Sequence, residues 1–146
     1  MLKKAGAVVI ALILTIFIVF GYNLSSMRRH SYNKSMESNW RITLPDGYEC
    51  VYSLTEDTNG ILGDGDRYHI LHYFDEPSFD KEISWDEECN HLNDAINVLE
   101  NLKIDISPED FMQKDLQYHF QERNSNTLWM NYDESSRMQY IIERIM

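Results

Sequence analysis

Two cysteines in 146 residues are too few for a disulfide-dense scaffold or a four-thiolate zinc site. The chain has no internal repeat, no Gly-x-Ser-x-Gly nucleophile turn and no Gly-Lys-Ser/Thr phosphate cradle. Its length is roughly half of what an α/β barrel or a dinucleotide-binding enzyme requires, so one domain at most fits. No acid precedes Glu37, and no charge of either sign falls between Ala5 and Tyr22. Disorder is excluded as well, because 43% of the residues are hydrophobic and 12% aromatic.

The charge that is present divides the chain. Lys3, Lys4, Arg28, Arg29 and Lys34 give the first part +5, whereas from residue 35 onward 24 acids face eight cations and leave −16. A surface that acidic repels phosphate backbones and anionic headgroups, which excludes nucleic acid as a partner of the folded part. It suits a protein or cationic partner.

Residues 5–22 read AGAVVIALILTIFIVFGY, apolar on every side. As a helix they cover roughly 27 Å, enough to cross a hydrocarbon core of about 30 Å once. The run is longer than that of a removable signal, and the residues after Phe20 offer no pair of small side chains for cleavage. The reading is a signal-anchor helix with a short basic head over 1–22, a polar linker over 23–39 and an acidic domain over 40–146. Arg28, Arg29 and Lys34 outnumber the two leading lysines and argue for a cytoplasmic domain. The four-residue head and the signal-like run argue for the opposite orientation, which is the one adopted: a single-pass protein of the cell membrane with its carboxyl-terminal domain outside.

Within the domain, Trp40, Ile42 and Leu44 alternate with polar residues up to a Pro45-Asp46-Gly47 turn. Tyr48, Cys50, Tyr52 and Leu54 then share one face, which predicts a hairpin. A third strand is expected over Arg67 to Phe74. Ser84 to Glu87 fits a capping box, and Trp85, Cys89, Leu92, Ile96 and Leu99 recur at helical spacing, predicting a helix from Trp85 to Leu102. Ser107-Pro108-Glu109-Asp110 predicts a short helical turn. Asn124-Ser125-Asn126 and Asp133-Glu134-Ser135-Ser136 separate three further strands, over about 115–123, 127–132 and 137–145. The fold class is therefore α+β, in the order βββ-α-βββ, with mostly antiparallel strands and one main amphipathic helix packed on the sheet.

The most suggestive stretch for chemistry is the acidic glycine-rich loop 57–66, where Asp57, Asp64 and Asp66 offer carboxylates to a calcium ion. It departs from the helix-loop-helix calcium pattern, since the sixth position from Asp57 is Leu62 and not glycine. The same carboxylates define a second alternative, a small envelope hydrolase. His69 and His72 point to opposite faces of one strand and cannot chelate one ion. Cys50 and Cys89 both fall on expected buried faces. A disulfide across their 39-residue separation would add on the order of 3 to 4 kcal/mol in an oxidising compartment. No catalytic constellation and no cofactor motif emerges. The functional expectation is a membrane-anchored, extracytoplasmic, non-catalytic binding or accessory domain at the cell envelope, with the calcium-binding version as the alternative.

Overall fold

The computed structural model describes Ile13, Thr15 and residues 32–56, 65–79, 81, 83–86, 91–105 and 116–146. The chain forms two units, 1–34 and 35–146. In the first unit Ile13, Thr15 and residues 32–34 are helical. No helix among the described residues is long and apolar enough to cross a membrane. Apart from Ile13 and Thr15, the apolar run 5–22 lies outside the described residues.

The second unit is an α+β domain. Its strands are β1 (Tyr48–Thr55), β2 (Gly65–Tyr73), β3 (Leu116–Arg123), β4 (Asn126–Asp133) and β5 (Met138–Ile145). They form one antiparallel sheet in the order β1-β2-β5-β4-β3. Residues 32–40 form helix α1, and Leu92–Asn101 form helix α2.

The meander β3-β4-β5 follows from its turns. Asn124 and Ser125 both take positive φ, 52° and 68°, the geometry of a two-residue hairpin turn matched to strand twist. At the next turn Asp133 accepts hydrogen bonds from the Ser135 and Ser136 amides and hydroxyls. Those bonds hold its carboxyl below the usual range against the opposing effect of burial.

The central strand β5 is buried on both faces, with Ile141 and Ile142 on opposite sides. Helix α2 covers one face. Ala95, Val98, Leu99 and Leu102 recur at helical spacing and pack on Tyr68 of β2, Ile142 of β5 and Trp129 of β4. The other face presents His69, Gln139, Glu143, Met130 and His119, all buried, an unusually polar set for a sheet interior. Trp40 at the end of α1 reaches this face and donates its indole N–H to Glu143 Oε2 at 2.7 Å. The last carbonyls of α1 are satisfied by β3: Arg123 donates to the carbonyls of Ser38 and Asn39, and Gln121 to that of Trp40. Arg41, at φ 61°, ends the helix in the left-handed region.

Four local expectations change. Within the stretch read as linker up to residue 39, the described residues 32–39 are helical, because Met36 and Trp40, four apart, both bury completely. Trp40, Ile42 and Leu44 do alternate as buried residues, yet 41–45 join no ladder, and the hairpin forms between β1 and β2 instead. The order of elements among the described residues is thus α-ββ-α-βββ, with five strands in place of six. The main helix begins at Leu92 and not at Trp85, because the backbone of Asp86 exchanges two hydrogen bonds with Tyr118 on β3, at 2.7 and 2.9 Å. An edge strand with free N–H and C=O groups holds that segment extended, so Ser84 caps no helix there. The turn expected at 107–110 lies outside the described residues.

Candidate functional site

Between the end of β2 and the start of α2 the chain carries Phe79, Ile83 and Trp85 past one end of the sheet. Ile83 is buried, while Phe79 and Trp85 are half-buried against Tyr132 of β4. The ring centroids of Phe79 lie 4.9 Å from Trp85 and 4.9 Å from Tyr132, edge to face. Trp85 and Tyr132 are 6.2 Å apart, and Tyr73 supports the group from β2 at 5.8 Å from Phe79. Such edge-to-face contacts add about 0.5 to 1.5 kcal/mol each beyond burial, so they form a rigid wall.

This wall backs an open groove of about 330 Å³, whose rim carries Glu76, Glu134 and the amide of Gln117. Tyr132 is itself buried, and its hydroxyl has no hydrogen-bond partner among the described residues. Burial pushes the Tyr132 phenol up, and the negative charges of Glu134 and Glu76 push it further, against a smaller opposing effect of Arg137. The groove therefore combines an aromatic wall of mutually tilted rings with a negative potential, while the Tyr132 hydroxyl lies buried behind it.

Sequence reasoning missed this site. Trp85 was expected on a helix, and nothing in the spacing of Glu76, Gln117 and Glu134 brings three separate turns and strands together. The available signal was the run of Phe79, Ile83 and Trp85 beside Pro77, apolar residues with no element to bury them.

The residues singled out from sequence are placed as follows. Asp57 and Asp64 lie outside the described residues. Asp66 is in β2, its Oδ1 accepting from Arg144 Nε at 3.0 Å and its Oδ2 from Arg144 at 3.1 Å and Asn101 at 3.1 Å. Asp66 ties β2 and β5 to the end of α2, and the hydrogen bonds that Arg144 donates to it raise the guanidinium above its ordinary value. Among the described residues no three His, Cys, Asp or Glu side chains are placed to hold a metal ion. Replacing Asp66 with alanine is expected to lower stability by about 1 to 2 kcal/mol, the worth of a bidentate, partly buried arginine pair. Thermal melts with and without calcium check this: the loss should be the same in both. A loss confined to calcium-containing buffer would instead make Asp66 an ion ligand.

Cys50 is exposed, not buried as expected. The register slips by one residue between Cys50 and Tyr52, a bulge that turns this part of β1 outward, and the Cys50 thiol donates to the Tyr52 carbonyl at 3.1 Å. Cys89 lies outside the described residues. His69 and His72 do face opposite sides of β2: His69 is buried, and His72 meets Glu49 on β1 at 3.4 Å.

No family model matches the chain, and neither a curated protein nor a solved structure matches it.

Proposed function

We propose that this protein is a membrane-anchored, non-catalytic binding domain, held at the cell envelope by residues 5–22 with its domain outside, and that the groove at Trp85 is where it docks a cationic protein partner. The observation that carries the reading is the union, in one groove, of an aromatic wall and the carboxylates of Glu76 and Glu134. Aromatic side chains dominate binding hot spots because they bury much area with few rotors. The −16 charge of the domain raises the on-rate for a basic partner and disfavours acidic ones.

Two measurements on the full chain in living cells test this. Reporter fusions at the carboxyl end should be active outside the membrane and silent inside. A benzophenone amino acid in place of Gln117, on the rim, should give one discrete adduct on illumination, whereas the same group in place of Asn97, exposed on α2, should give none. Inside signal would overturn the location, and no adduct from either position would overturn the groove as a docking point.

A further inference from the structure

We infer that the group received by the groove is an arginine guanidinium presented by the partner protein, stacked on the Trp85 ring and bonded at its edge to Glu76 and Glu134. This rests on the binding role of the groove and specifies its guest.

Three features of the site select that guest. The rings pack against one another at 4.9 to 6.2 Å, so no cation fits between them, and contact is made only on their outer faces. A planar cation gains most at one ring of such a wall, the half-buried indole of Trp85, on which it stacks while keeping its edge free. Around the wall are acceptors: two carboxylates and the Gln117 carbonyl oxygen. Guanidinium offers five N–H donors in one plane, which matches several acceptors distributed round a flat face. A lysine ammonium is compact and strongly hydrated, and would leave the aromatic area uncovered. Finally, Glu76 and Glu134 both act on Tyr132, so the negative potential extends to the wall and is not confined to the rim.

The test uses the full chain in nanodiscs and follows the Trp85 indole N–H resonance, assigned through Trp85→Phe. The probes are blocked tripeptides of glycine flanking arginine, lysine or citrulline, and a neutral oligosaccharide of N-acetylglucosamine. The arginine peptide should shift the resonance saturably, several-fold more tightly than the lysine peptide, while citrulline, of nearly the same shape but uncharged, should leave it unmoved. Glu76→Gln and Glu134→Gln together should weaken arginine binding about tenfold with the melting temperature unchanged, because both side chains are exposed. Equal or tighter binding of lysine, binding of citrulline, or a response to the oligosaccharide alone would each overturn the assignment, as would no response to any probe. If arginine fails while the Gln117 position still gives its adduct, the guest is wrong and the docking site stands. If both fail, the groove is not a binding site.

Discussion

Replacing Trp40 with alanine should remove about 4 to 8 kcal/mol from the stability of the domain, most of what a fold of this size holds. Trp40 is 1% exposed, and its indole donates at 2.7 Å to Glu143, a carboxylate with no exposure on the central strand. Truncating a buried tryptophan costs about 3 to 5 kcal/mol in lost packing and residual cavity. Withdrawing the donor from a buried carboxylate adds about 1 to 3 kcal/mol. Urea denaturation of the full chain in detergent measures the sum. Trp40→Phe divides the two effects, since it keeps a six-membered ring and loses the donor with the pyrrole half of the indole, for an expected cost of about 2 to 4 kcal/mol. Combining it with Glu143→Gln in a double-mutant cycle should recover a coupling of the same order. A cost for Trp40→Ala below about 1 kcal/mol would mean that α1 does not dock on this face of the sheet in solution.

The same residue shows where the sequence was readable and where it was not. Trp40, Ile42 and Leu44 alternate, and the alternation correctly identifies three buried side chains. Period two reports which way side chains point, and not whether the backbone has found a ladder. Upstream, the described residues 32–40 of α1 contain only Met36 and Trp40 as large apolar groups besides Tyr32, so no amphipathic stripe announces a helix there. Its end is instead completed by Arg123 and Gln121, more than 80 residues away, and long-range partners leave no local trace. The meander was legible because its turns carry residues that tolerate positive φ and cap their own backbone. Helix α2 was legible as a helix with Leu99 inward, but its buried stripe is Ala95, Val98, Leu99 and Leu102, with Leu92 packed beside it, and its start was misjudged where a strand edge competes for the chain at Asp86. Glu143 reads as a solvent-facing residue at the end of a strand, yet it shares a face with Ile141 on the central strand and is covered. The groove was least legible, since its wall and rim come from three separated segments that only the sheet order brings together.

Lowering the pH should expose the other titratable group on that face. His69 is buried, and burial first, then the charge of Arg67 on the same strand, lower its imidazole from 6.5 to about 4. Its Nε2 lies 4.0 Å from Glu143 Oε1, a contact that alone would favour the imidazolium, but desolvation outweighs it and the ring stays neutral at pH 7. The unfolded chain binds a proton at His69 below pH 6.5 while the folded chain does not, so the unfolded state holds more protons between 6.5 and about 4. Stability from this group is therefore complete above pH 6.5 and is lost as the pH falls to about 4, a change on the order of 3 kcal/mol. The 24 acids act in the opposite direction over the lower part of that window, because protonating them relieves the self-repulsion of a domain at −16. The wild-type curve alone thus mixes two slopes. Urea denaturation of wild type and His69→Gln at a series of pH values isolates the histidine, since glutamine carries the same neighbours and no proton. The variant is expected to be the less stable protein at pH 7 and to lose its disadvantage progressively toward pH 4, the gap closing by about 3 kcal/mol. Two parallel curves would show instead that His69 takes up its proton equally in the folded and unfolded chains, and that the face beneath α1 is open to water.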